Sequence, residues 1–170
     1  MPVQFEDNSI KVKKALKEQA IAFLHEVSGE LVTEVVRNIP AKGRWFSEQA
    51  EQWKYRIDES GLKSTIGNPM ERSIWTEKGT GEYAADGNGR KGYWVYVKDS
   101  GTGEESAYTG GKSYTLQEAK QTVAMMRADG LDARYTKGQQ PYRPFEKAFS
   151  TLKPTIQREA SRRFGELNDK

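Results

Sequence analysis

Two glycine-rich turns, one histidine and one alternation of aromatic with basic residues are the features of this chain that could carry chemistry. Gly79-Thr80-Gly81 and Gly101-Thr102-Gly103 have the composition of loops that hold phosphate on backbone N–H groups. That chemistry needs a strand before the loop, a helix after it and, for a nucleotide, a Gly-Lys-Ser/Thr sequence. Neither turn has that setting, so both are expected to be chain turns and helix caps. His25 is the only histidine, and there is no cysteine. One histidine without cysteine makes no conventional zinc site, and no nucleophile-elbow pattern accompanies it. His25 falls off the apolar stripe of its helix, so it is expected to face water or a neighbouring chain. No catalytic residue, no metal and no cofactor is expected, and the chain reads as a non-enzyme. Trp53-Lys54-Tyr55-Arg56 could stack bases beside a phosphate backbone. A strand with its aromatic face in the core explains the same alternation more simply.

Composition narrows the class further. A chain of 170 residues is expected to form one domain, with or without an insertion. Hydrophobic residues make up 35% of it, and mean hydropathy is −0.85, which suits much solvated or partner-covered surface. No run of about 18 apolar residues exists, so no membrane partner is expected. Met1-Pro2-Val3-Gln4-Phe5-Glu6-Asp7 lacks the basic and apolar regions of a secretion signal. Residues 137–170 hold eight Lys/Arg against four Asp/Glu, a balance of +4. The overall charge is +3, so the first 136 residues carry −1. A basic C-terminal helix is a mild nucleic-acid signal, although charged solvated helix faces are ordinary.

These residues need elements to position them. Val12, Leu16, Ala20, Phe23, Val27, Leu31 and Val35 recur at steps of three and four. They predict a helix from about Ile10 to Asn38, capped by Asn8 or Ser9, ended by Pro40 and roughly 40 Å long. Gly29 is its weak point and a place for a bend. A loop containing Gly43-Arg44-Trp45 follows. Trp53, Tyr55 and Ile57 then predict a strand with one buried face, paired to Leu62–Ile66 through Glu59-Ser60-Gly61. Asn68 as N-cap, Pro69 in the first turn and Glu71 three residues after the cap predict a short helix, closed by Gly79 and Gly81. Ile74 and Trp75 would dock it on the sheet. Residues 80–92 read as loop with a tip at Asp86-Gly87-Asn88-Gly89, and Tyr93–Val97 as the strongest strand. Gly101–Gly111 reads as loop again. Thr115 and Glu118 form a capping box for a helix carrying Leu116, Ala119, Val123 and Met126, closed by Gly130. Leu131–Thr136 reads as a strand. A final helix starts near Pro144, with Phe145, Ala148, Phe149, Leu152, Ile156, Ala160, Phe164 and Leu167 on one stripe. The fold class is α+β: a small, mostly antiparallel sheet packed against the long N-terminal helix and the C-terminal helix.

Four stretches taken together resemble a family of tailed-phage neck proteins. These are the head–tail connector or tail-completion proteins of the gene-product-ten-like minor structural group. The opening Phe5-Glu6-Asp7-Asn8-Ser9 is similar to theirs. Pro40-Ala41-Lys42-Gly43-Arg44-Trp45 stands where the family's long helix reaches a proline and a Thr-Gly-Arg-Leu-like turn. Glu77-Lys78-Gly79-Thr80-Gly81 resembles its Glu-Phe-Gly-Thr-Gly segment, and Arg143-Pro144-Phe145 its arginine-proline-phenylalanine helix start. The likeness covers roughly residues 5–97 and 138–167. Departures are Lys42 before Gly43, Trp45 in place of leucine, Arg72-Ser73-Ile74-Trp75 before the Gly-Thr-Gly, and residues 98–137, which read as an inserted loop, helix and strand.

The resemblance implies a structural virion protein forming a ring, of six or twelve copies, in the neck that joins head to tail. It implies a virion location and neighbours in the portal or adaptor layer and in the tail terminator or tail tube, with DNA near the channel. Residues expected to meet those partners are Glu77, Lys78, Gly79, Thr80, Gly81, Gly87, Asn88, Arg90 and Tyr108. Arg143, Pro144 and Phe145 are expected to brace the fold. The alternative is a nucleic-acid-binding module that uses the basic C-terminal helix.

Overall fold

A computed structural model describes residues 7–41, 44–98, 105–107 and 111–165 of the chain. Expectations placed on Phe5-Glu6, Lys42-Gly43, Gly101-Thr102-Gly103, Tyr108 and Leu167 lie outside those residues. The fold is α+β, with antiparallel strands, a long N-terminal helix and a C-terminal helix. The chain divides into two compact units: Met1–Glu71 with Pro144–Lys170, and Arg72–Arg143. The stretch 98–137, read as an insertion, lies inside the second unit.

The first unit is built on helix α1, Ser9–Asn38, which runs unbroken through Gly29. Its start differs from expectation. Asn8 makes no side-chain cap bond; the Asp7 carboxylate instead accepts from the Ser9 N–H at 2.9 Å. That bond, then one from the Ser9 hydroxyl, holds the Asp7 carboxyl below its ordinary pKa. The expected loop after Pro40 is partly helical: α2 spans Arg44–Glu51. Its C-terminus is finished from elsewhere in the sequence, because Asn68 Nδ2 donates to the Gln49 carbonyl at 2.8 Å. Asn68 Oδ1 meanwhile accepts from Met70 N–H at 2.9 Å. That bond turns the chain before helix α3, Glu71–Lys78, so Asn68 is not its N-cap and Pro69 stays outside it.

Strands β1, Lys54–Asp58, and β2, Lys63–Gly67, form a two-stranded antiparallel sheet in which Tyr55 faces Ile66 and Ile57 faces Ser64. That face turns to α1, where Ser28 and Ser64 share a 2.6 Å hydrogen bond. The expected buried face is only half achieved, and Tyr55 remains 38% exposed. A sheet two strands wide has no third strand to cover its rim. Helix α5, Pro144–Phe164, runs antiparallel to α1. Ala148 joins Leu31 and Val35 in the core, and Phe164 meets Phe23 edge-on at 5.7 Å. Phe145 stacks between Trp53 at 6.0 Å and Phe149 at 6.4 Å. Pro154 sits inside α5 and removes one helical hydrogen bond.

The second unit is a three-stranded antiparallel sheet with α4, Leu116–Ala128, on one face. The strands are β3, Trp94–Lys98, β4, Glu105–Ala107, and β5, Ala133–Thr136, in the order β4-β3-β5. The stretch expected to be loop between Gly101 and Gly111 thus contains an edge strand. Val95 and Ala133 from the sheet meet Ala119, Val123 and Met126 from α4, all buried. A valine or methionine buried this way contributes about 1.5–3 kcal/mol. The capping box forms as expected: Thr115 accepts from Glu118 N–H, and Glu118 reaches back to Thr115 N–H at 2.8 Å. Gly130, at φ +82°, closes the helix. Ile74 and Trp75 do not dock on a sheet; they are 56% and 42% exposed. The buried side chains of α3 are Ser73 and Thr76.

Candidate functional site

The Glu77–Gly81 segment is positioned by α3 on one side and by the chain leaving β5 on the other. The two stretches bind each other through their backbones. Thr80 N–H donates to the Gln139 carbonyl at 2.9 Å, Glu82 N–H to Lys137 at 2.9 Å, and Tyr142 N–H to Thr76 at 2.9 Å. Gln139 N–H returns a bond to Thr80 Oγ1 at 3.0 Å. Gly79 N–H completes α3 by donating to Trp75 at 2.8 Å. A phosphate cradle needs these N–H groups to point outward. Here Gly79, Thr80 and Glu82 have theirs engaged within the fold, so the Gly-Thr-Gly turn is a structural junction.

Glycine is required in this junction for two separate reasons. Gly79 and Gly81 adopt φ +73° and +60°, where side chains are strained. A Cβ on Gly81 would lie 2.2 Å from the Lys137 carbonyl oxygen, and one on Gly138 would lie 2.0 Å from that of Thr80. Beside it, Glu82 accepts from Gly92 N–H at 3.1 Å and faces Lys137 Nζ at 3.3 Å. The Gly92 bond, then Lys137, holds the Glu82 carboxyl below its usual range. Lys137 also lies over the Tyr83 ring at 5.0 Å. Tyr83, then Glu82, raises the Lys137 ammonium.

The residues read as partner contacts differ in exposure. Gly79 and Gly81 are buried, Glu77, Thr80 and Arg90 are half-buried, and Lys78, Gly87 and Asn88 are exposed. Lys78 pairs with Asp86 at 2.7 Å in solvent, an interaction of about 0–1 kcal/mol. Arg90 lies over the Trp94 ring at 5.1 Å and donates to the Lys112 carbonyl, which ties its loop to the approach to α4. Arg143 takes φ +53°, unusual for a non-glycine residue before proline. That turn delivers buried Pro144 to the first position of α5.

No family model matches this chain. No curated protein and no solved structure matches it either.

His25 is exposed, with Nδ1 3.4 Å from the Tyr55 hydroxyl and the rings edge-on at 5.8 Å. Among the described residues, no group of three or more His, Asp or Glu is placed to hold a metal ion. No described helix is long and apolar enough to cross a membrane. On the basic helix α5, Arg162 is held by Glu159 at 2.6 Å and Arg163 by Glu26 at 2.8 Å. The Glu26 contact raises the Arg163 guanidinium further.

One feature escaped reading from the sequence. Between α1 and α5 runs a groove of about 210 Å³ with Phe23, Val27 and Ile156 as its apolar lining and Glu26, Glu30 and Glu159 as its acidic one. Phe23, Glu26, Val27 and Glu30 follow the i, i+3, i+4, i+7 pattern of one helix face, so half of it was legible. The α5 half depends on how the helices pair.

Proposed function

We propose that this protein is a non-enzymatic structural subunit whose surface is completed by neighbouring chains. In its sharper form, it is a ring subunit in the neck of a tailed phage or phage-like particle, lying between the portal or adaptor layer and the tail. The observation that carries the general reading is the distribution of apolar side chains. Each unit has a small core, while Ile10, Val12, Ile74, Trp75, Met125 and Phe149 are between 42% and 79% exposed. Isolated exposed apolar residues are ordinary, but this many beside small cores suits a chain with further surface to cover. The engagement of the Gly79–Gly81 turn in a backbone junction fits the same reading. The phage-neck form rests on the resemblance carried by Glu77–Gly81 and Arg143–Phe145.

The test is electron microscopy of the purified protein beside particles from its source. A ring, or density at the head–tail junction, is the expected result. A protein that stays monomeric at high concentration, and neither co-purifies with particles nor decorates them, overturns the reading. Tight DNA binding that weakens steeply with salt would instead favour the basic α5 face as a nucleic-acid surface.

A further inference from the structure

Ile10, Lys13, Lys14 and Lys17 stand at i, i+3, i+4 and i+7 and so share one face of α1. Residues 9–15 are all exposed, and Ile10 is 79% exposed. Among the described residues, the ion pair on this face is Lys14 with Glu18 at 3.9 Å; it is open to solvent, so it holds the lysine weakly. The face is therefore one apolar knob surrounded by three ammonium groups.

The α1–α5 groove is partly apolar, has the Arg163 guanidinium over its Phe23 ring at 5.2 Å, and keeps one carboxylate, Glu30, outside any ion pair among the described residues. Phe23, Val27 and Ile156 supply its apolar lining, and Glu26, Glu30 and Glu159 supply carboxylates. Two of these already hold arginines: Arg163 on Glu26 and Arg162 on Glu159. Glu30 has no ion-pair partner among the described residues and is exposed.

We infer that the N-terminal segment of α1 from one copy docks into the α1–α5 groove of a second copy, with Ile10 on the apolar lining beside Val27 and Ile156 and a lysine against Glu30. This inference rests on the oligomeric reading above and names its interface. The occupant must come from a second copy. Ile10 and Glu30 lie on one continuous helix, about 30 Å apart at ~1.5 Å per residue, so a chain cannot fill its own groove. The contact joins two different surfaces, hence it is head-to-tail. Such contacts either close into a ring or run on as a filament. Because part of the attraction is between exposed charges, the association weakens as salt rises.

Sedimentation velocity on the full chain tests this with two variants. Ile10→Gln/Lys17→Gln damages the segment that enters, and Glu30→Lys damages the groove; all three positions are exposed, so the thermal melts should match the parent. Each variant alone should self-associate at least about tenfold more weakly than the parent. Mixed, they should form dimers and nothing larger. The Glu30→Lys copy still has an intact segment and the other copy an intact groove, but no second joint is possible. Parent-like association of both variants, or a mixture that stays monomeric, overturns the docking and leaves the ring reading standing on another interface. A parent that is monomeric throughout also overturns the docking. The ring reading falls with it only if particles lack the protein as well.

Discussion

Gly81 shows how one residue type can be demanded by two constraints at once. Its φ of +60° disfavours any side chain, and the space a Cβ would take is already held by the Lys137 carbonyl. Gly87 has a similar φ, +70°, but nothing within 4 Å of the same position. The pair therefore separates conformational strain from steric conflict. Gly87→Ala is expected to cost about 1 kcal/mol, the left-handed penalty alone. Gly81→Ala is expected to cost about 2–4 kcal/mol, because the backbone of the Thr76–Glu82 and Lys137–Tyr142 junction must also part. Urea unfolding of the two variants checks the difference. Equal costs would mean that the junction yields easily. The turn glycines were visible in the sequence, whereas the carbonyl that excludes a side chain at Gly81 belongs to a residue 56 positions away.

Among the elements, α4 is the one whose local signals and tertiary role agree most fully. Thr115 and Glu118 satisfy each other's backbone N–H groups, and the stripe Ala119, Val123 and Met126 is buried on the sheet. Thr115→Ala is expected to cost about 1 kcal/mol. The Glu118 carboxyl is held below its ordinary value, first by the Thr115 N–H and then by the Thr115 hydroxyl. A lowered folded value means that its contribution is fully present above the ordinary carboxylate pKa and is lost as pH falls through the lowered one. The stability gap between the parent and Glu118→Gln should thus be widest near neutrality and close in acid. Unfolding curves across that pH range are the check, and a gap that widens in acid would contradict the cap. Helix α3 behaves in the other way. Its apolar Ile74 and Trp75 point outward, while Thr76 is buried and its carbonyl receives the Tyr142 N–H. Here a backbone bond to a distant segment outweighs the apolar pattern of eight residues.

On the scale of the whole molecule, each unit has its own core: Leu31, Val35 and Ala148 in one, and Val95, Ala119, Val123, Met126 and Ala133 in the other. Val123→Ala removes two methyl groups from the second core and should destabilise it by about 1–3 kcal/mol. Hydrogen exchange should then speed up for amides within 72–143 first, with those of α1 and α5 retaining more protection. Uniform loss of protection across both would show that the chain unfolds as one cooperative body. The same scale governs the proposed assembly. The exposed basic start of α1 and the α1–α5 groove with Glu30 lie on the same unit, so each copy carries both halves of a head-to-tail joint.

The amino-acid sequence by itself determined what short-range physics can decide. The three- and four-residue spacing of apolar positions set α1, α4 and α5, the Thr115 and Glu118 pair set a helix start, and Gly79 and Gly130 set helix ends. These features depend on residues within a turn or two of each other. What lay beyond that range was decided only when distant segments met. Helix α2 is completed by Asn68, and the Gly-Thr-Gly turn is claimed by residues 137–139. The chain divides at Glu71 and Arg143, and a groove opens where α5 lies along α1. A hydrogen bond or a packed face satisfies a residue equally well whether its partner is four positions away or sixty. Local pattern therefore predicts elements better than it predicts which surfaces they leave open.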